Sequence, residues 1–138
     1  MNPLCARIVR ATPDTLLGLE RRTAGAQAAT AWGDPAVVLR CGVTPPGPTT
    51  DRCLSIELPD GTTVDWINPE AVGEQDDDSP GAWTFITYGR DPAVELVVPA
   101  ATGVDQPTAA LVELAGAVQL VEATRACVGA TDVPLPAG

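Results

Sequence analysis

Histidine and lysine are both missing from this chain of 138 residues. Without histidine there is no Ser-His-Asp or Cys-His machinery and no imidazole metal ligand. Without lysine there is no Schiff-base chemistry and no phosphate-gripping P-loop lysine. Aromatic residues make up only 4%, so a core must be built from Val, Leu, Ile and Ala, with Trp32, Trp66, Trp83, Phe85 and Tyr88 as the few large fillers. No apolar run reaches the length of a membrane helix, and no signal-peptide core is visible. The opening Met1-Asn2-Pro3-Leu4 is too short and polar to export anything, so an exported form is expected to carry its export segment upstream. No C-x-x-C pair occurs, and the cysteine spacings match no zinc pattern. No metal and no cofactor are expected.

What is present is acidic. Eighteen Asp and Glu against 8 arginines give a formal net charge of −10, which repels phosphate backbones and anionic lipid and makes nucleic acid an unsuitable partner. Four cysteines stand at 5, 41, 53 and 127. An even number of widely spaced cysteines in such a chain suits an oxidising compartment; the competing account is four buried free thiols in a cytosolic protein. Of the three connectivities, Cys41–Cys53 with Cys5–Cys127 is preferred. The first closes a short loop and the second ties the amino-terminal segment to the last helix, contributing roughly 3 and roughly 4 to 5 kcal/mol by the chain-entropy estimate.

The centre of the chain is residues 31–53, AWGDPAVVLRCGVTPPGPTTDRC. Residues 36–43 alternate, with Val37, Leu39, Cys41 and Val43 on one face and Val38 and Arg40 on the other, which predicts a strand. Pro45-Pro46-Gly47-Pro48 cannot pair with a neighbour and reads as a stiff excursion. Next, Leu54-Ser55-Ile56-Glu57-Leu58 leads through Pro59-Asp60-Gly61 into Thr62-Thr63-Val64-Asp65-Trp66-Ile67. A three-residue turn with a left-handed Gly61 sets Ile56 opposite Val64 and Leu54 opposite Trp66, with Ser55–Asp65 and Glu57–Thr63 facing water. Cys53 then falls on the polar face. A second hairpin joins WTFITYG at 83–89 to the strand at 94–98 through Arg90-Asp91-Pro92.

Two helices are expected. Thr12-Pro13-Asp14 supplies an N-cap, a proline at the first helical position and an early acid for a helix over 13–20, with Arg21-Arg22 at its positive-favouring end. Pro107 opens a longer one to about 126, on which Leu111, Leu114, Ala115, Val118 and Val121 recur at helical spacing. Residues 24–31 read as an edge strand, 69–81 as a mobile acidic loop. By domain, residues 1–4 are a remnant or linker, 5–127 a single domain, and 128–138 a flexible tail. The expected architecture is two-layer α+β: a mostly antiparallel sheet of about five strands, two helices and two disulfides.

Cys5, the leucine-bearing segment and Arg21-Arg22, then the WGDPAVVLRCGV run, the Val64-Asp65-Trp66 strand and the TFITYGRDPAVELVVP hairpin together resemble an uncharacterised actinobacterial family of secreted or lipoprotein-like proteins with a domain of unknown function. The resemblance implies an upstream signal or anchor segment and an envelope location. It implies no activity and carries over no catalytic residue. Asn2-Pro3-Leu4 does not form the small-residue context that would make Cys5 a lipidation site.

Candidate chemistry is sparse. Asp76-Asp77-Asp78 could hold calcium but lacks the alternate spacing of a calcium loop, and a solvated loop is the preferred reading. Glu57 and Asp65 share a face and could serve glycoside hydrolysis, but such pairs need a concave site. Arg40 and Arg90, with Trp32, Trp66 or Tyr88, could frame a site for an anionic or carbohydrate ligand; salt bridges of Arg90 to Asp91 or Glu95 compete with that role. No catalytic residue is assigned. The functional expectation is a non-catalytic extracytoplasmic domain that binds an envelope protein or a cell-wall component. The alternatives are a carboxylate-dependent hydrolase of wall glycan or peptide, and a scaffold beside a membrane anchor.

Overall fold

A computed structural model describes residues 2–22, 28–47, 51–69, 82–104, 106–127 and the backbone of 131–133. Two helices, α1 (Pro3–Ala11) and α2 (Ala109–Val118), accompany strands β1 (Thr15–Leu16), β2 (Leu19–Arg22), β3 (Ala29–Trp32), β4 (Val37–Val43), β5 (Arg52–Glu57), β6 (Thr63–Asn68), β7 (Trp83–Thr87), β8 (Ala93–Val98) and β9 (Thr131–Val133). The sheet order is β1-β2-β3-β4-β8-β7-β6-β5-β9. The two-residue β1 pairs only with β2, leaving eight strands in the sheet proper rather than about five. Every pairing is antiparallel except that of β9 with β5, which is parallel. No helix among the described residues is long and apolar enough to cross a membrane.

Alternation decides which side of each strand is buried. Val37, Leu39 and Cys41 of β4, Leu54 and Ile56 of β5, Val64 and Trp66 of β6, Phe85 of β7, and Val94, Leu96 and Val98 of β8 all join one core. Cys5 and Ile8 of α1 and Ala110, Leu111, Leu114, Ala115, Ala117 and Val118 of α2 close it from above. Both helices therefore lie on one face of the sheet, as two-layer packing requires of strands with a single apolar side.

The first helix is displaced from its expected place. Asn2 caps it, its Oδ1 accepting from the Leu4 amide at 2.9 Å, and Pro3 occupies the first turn. Thr12 is not an N-cap but the stop: its hydroxyl donates to the Val9 carbonyl at 2.6 Å, and Pro13 beyond it cannot continue the helix. Residues 15–22 form a hairpin, turned by Leu17 at φ 54° and Gly18 at φ 77°, the two consecutive left-handed residues of a tight hairpin turn. Gly18 inside the leucine run was the signal for it.

The 54–67 hairpin has the expected register, with Leu54 opposite Trp66, Ser55 opposite Asp65, Ile56 opposite Val64 and Glu57 opposite Thr63. Cys53 continues the ladder opposite Ile67. At the turn, Asp60 accepts from the Thr62 hydroxyl at 2.6 Å and its amide at 3.0 Å. The Thr62 side-chain bond first, and its amide second, hold the Asp60 carboxyl below its ordinary 3.8. A carboxyl depressed by folding adds stability above its unfolded pKa and loses it as pH falls through the folded one. NMR titration is therefore expected to place the Asp60 midpoint below 3.8, and Thr62→Val to move it back up.

The disulfides are Cys5–Cys41 and Cys53–Cys127, with Cα separations of 5.5 and 6.5 Å. This overturns the expected Cys41–Cys53 and Cys5–Cys127. Cys41 lies on β4 and Cys53 on β5, with β8, β7 and β6 between them. Four interstrand steps of about 4.8 Å put them on the order of 19 Å apart, far beyond disulfide reach. They also face opposite sides of the sheet. The segment after β4 therefore closes no disulfide loop; the next strand in the chain, β5, lies four strands from β4. A bulge at Gly42, φ 94°, shifts the β4–β8 register between Cys41 and Val43, which takes Val43 out of the inward alternation.

The second helix ends at Val118, short of the expected 126. Residues 121–127 instead run as a strap, with a single bridge between Arg90 and Ala123. The geometric reason is Cys127. α2 lies on the core face while Cys53 points to the other, so the chain must leave the helix to reach it. The 24–31 segment is likewise corrected in part: β3 lies between β2 and β4, not at an edge. The expected acidic loop at 69–81 lies, past Pro69, outside the described residues.

Candidate functional site

The strap is held against the β7–β8 turn and strands β5 and β6 by four kinds of contact. The guanidinium of Arg90, which is 6% exposed, donates from Nη1 to the Val121 carbonyl and from Nη2 to the Thr63 carbonyl, the latter at 3.0 Å. The Gly89 carbonyl accepts from the Thr124 amide at 2.7 Å and its hydroxyl at 3.2 Å. Asp65, 8% exposed, accepts the Cys127 amide at 2.8 Å. The Cys53–Cys127 bond completes the attachment. Gly89 is required here: at φ 79°, a Cβ would stand 2.1 Å from the Arg125 carbonyl oxygen.

Burial pushes the Arg90 guanidinium below its ordinary value, and the Asp65 carboxylate pulls it back up. Arginine keeps its proton through such shifts, so a full positive charge sits under the strap. Its Nε–H is buried and meets no acceptor among the described residues, an unusual state for so strong a donor.

Between the strap, the β7–β8 turn and the segment leaving β4 lies a cleft of about 260 Å³. Pro45, Pro46 and Gly47 form one wall, Gly89, Arg90 and Asp91 the floor, and Thr124 and Arg125 the other wall. Asp91 and Arg125 are exposed, and the Arg125 side chain makes no hydrogen bond or ion pair with the described residues. The register explains the meeting: Val43 at the end of β4 pairs with Ala93 at the start of β8, so the two connections emerge side by side.

Of the five residues singled out for binding, only Arg90 lines this cleft. Trp32 is fully buried, its Nε1 donating to the Pro13 carbonyl at 3.0 Å and its ring lying 5.9 Å from the Arg21 guanidinium. Trp66 is also in the core. Tyr88 is 9% exposed and its amide donates to the Asp65 carbonyl at 2.9 Å. Arg40 lies on the outer face of β4, 3.4 Å from Glu95. Arg90 takes neither Asp91 nor Glu95 as an ion-pair partner; it binds carbonyls. Thr124 and Arg125 went unseen because a helix through 126 would have placed them far from Gly89.

The carboxylates do not make an acid–base pair. Glu57 is exposed at the end of β5, whereas Asp65 is buried and committed to the Cys127 amide. Asp65 also lies within 4.8 Å of the sulfurs of Cys53 and Cys127, but both sulfurs are spent in a disulfide and offer no thiolate for a metal. The calcium candidates Asp76, Asp77 and Asp78 lie outside the described residues.

Fold and cleft together define a disulfide-stapled α+β domain with a small arginine-bearing depression at one end of its sheet. The chain belongs to the family described as "protein of unknown function (DUF3515)", whose model matches residues 1–127. No curated protein and no solved structure matches it.

Proposed function

We propose that the chain is a non-catalytic, extracytoplasmic binding domain of the actinobacterial cell envelope, taking its ligand or partner from that compartment. The observation that carries this reading is the state of the cysteines: all four are paired, in two bonds that join elements distant in sequence. Such bonds persist where the surroundings oxidise thiols and are rare where glutathione and thioredoxin reduce them. Binding rather than catalysis is supported by the cleft's lining among the described residues, of arginine, threonine, proline, glycine and a single aspartate, in which no two carboxyls meet. An upstream export or anchor segment belongs to the same proposal.

The test uses protein from its own cells, with free thiols alkylated before lysis and the fractions mapped by mass spectrometry. The expected result is protein in the extracytoplasmic fraction with no alkylated cysteine. Cytosolic protein carrying four alkylated cysteines would overturn the proposal.

A further inference from the structure

We infer that the cleft between Gly89–Asp91, Pro45–Gly47 and Thr124–Arg125 is a binding site for the carboxylate of an amino acid or of a peptide's carboxyl terminus, with Arg90 and Arg125 as its anion-binding groups. This rests on the reading of the chain as a binding domain and names what the domain takes.

Three observations converge on it. First, Arg90 is fixed in place before any ligand arrives. Two of its N–H groups are held by the Val121 and Thr63 carbonyls, and its Nε–H has no acceptor among the described residues. A guanidinium carries five donors and no acceptor. This one is locked by two carbonyls and is opposed across space, without a hydrogen bond, by the Asp65 carboxylate, so part of its charge is left to act on a third group. Pre-organised donors of this kind lose little freedom on binding.

Second, Arg125 stands across the same cleft, exposed and without a partner among the described residues. In a chain of net charge −10, a depression lined by two arginines is a local reversal of sign that attracts small anions. Asp91 at the rim sets the limit. Two arginines and one aspartate give the lining a formal charge of +1, which suits a single carboxylate better than a phosphate dianion. Asp91 also offers an acceptor to an ammonium group, as a free amino acid would present.

Third, the size is right for a small group. About 260 Å³ falls below the roughly 300–1,000 Å³ of sites that enclose a drug-sized ligand. It is adequate for one residue of a peptide and too small for a sugar chain. Pro45 and Pro46 supply rigid apolar contact for an aliphatic side chain, and the Thr124 hydroxyl, held by the Gly89 carbonyl at 3.2 Å, supplies a further polar group.

The experiment is an amide NMR titration of the full chain with N-acetylalanine, free alanine, N-acetylalaninamide and N-acetylglucosamine, repeated on Arg125→Gln. Residue 125 is exposed, so that variant is expected to keep the unliganded spectrum. The expected result is saturable shifts at Gly47, Gly89, Asp91, Thr124 and residue 125 with the two carboxylates and none with the amide. Loss of one charge-assisted contact weakens binding about tenfold in Arg125→Gln. Tighter binding of free alanine, abolished by Asp91→Asn, assigns a free amino acid; tighter binding of the acetylated form assigns a peptide terminus. Equal shifts with acid and amide, or no change in Arg125→Gln, would overturn the carboxylate assignment. If N-acetylglucosamine alone saturated the cleft, the carboxylate would fall while the binding-domain reading stood. If no probe perturbed the cleft, the site itself would fall.

Discussion

Replacing Cys53 and Cys127 together with alanine is expected to lower the unfolding free energy by about 4 kcal/mol and to detach the strap from the sheet. The bond spans 74 residues and Cys5–Cys41 spans 36. Because loop entropy grows only with the logarithm of length, the chain-entropy estimates for the two differ by less than about 1 kcal/mol. Global stability therefore barely distinguishes them. Local behaviour does. Cys5–Cys41 ties α1 to β4 within the core, where Cys5 is 1% exposed and Ile8 fully buried. Packing keeps that helix in place after the bond is lost. Residues 122–127 have no such support, being exposed up to the half-buried Cys127. Their anchors are the Arg90, Gly89 and Asp65 hydrogen bonds and the disulfide. In denaturant titrations followed by the fluorescence of buried Trp32 and Trp66, both double variants should show similar losses. In hydrogen exchange, only Cys53→Ala/Cys127→Ala should lose protection at Thr124 and Cys127. If those amides stayed protected, the strap would be held by Arg90 and Gly89 without help from sulfur.

The same contrast shows why part of the molecule could be read from its residues and part could not. Short-range patterns were legible. Strict alternation around Pro59-Asp60-Gly61 fixed the 54–67 register pair by pair, because a slip of one residue would turn Leu54, Ile56, Val64 and Trp66 to water. The β7 and β8 segments were legible as two apolar runs joined by the Arg90-Asp91-Pro92 turn. What failed was long-range order. Nothing local after Cys41 says that Cys53 lies four strands away, so a short loop between the two looked closed. The polar-face position of Cys53 was the one clue, since a cystine partner for it had to come from the outer side. The missed parts of the candidate site share that cause. No glycine or proline interrupts residues 119–127, so Thr124 and Arg125 pass for helix, and only the reach to Cys53 forces them out of it.

Gly89→Ala is expected to destabilise the domain by about 2–4 kcal/mol, from two separable costs. A residue with a Cβ held at φ 79° meets the left-handed penalty of about 1 kcal/mol or more. The new methyl would also stand 2.1 Å from the oxygen and 2.8 Å from the carbon of the Arg125 carbonyl. Backbone atoms cannot rotate aside as a flexible side chain can, so the strap must move, at the roughly 1–3 kcal/mol typical of overpacking. Gly61→Ala provides the control. It has a φ of 88° but nothing within 4 Å of the added atom, so it carries the conformational cost alone. The difference between the two variants in thermal unfolding isolates the close approach, and for a domain of this length it should amount to several degrees in Tm. Gly89→Ala should further release the Thr124 amide from the Gly89 carbonyl, raising its exchange rate, while Gly61→Ala leaves that amide unchanged. Equal losses in both variants would mean that the strap does not press on the turn. The wall that Thr124 and Arg125 give the cleft would then lack its support, because contact at Gly89 is what sets how close those two residues come to Arg90.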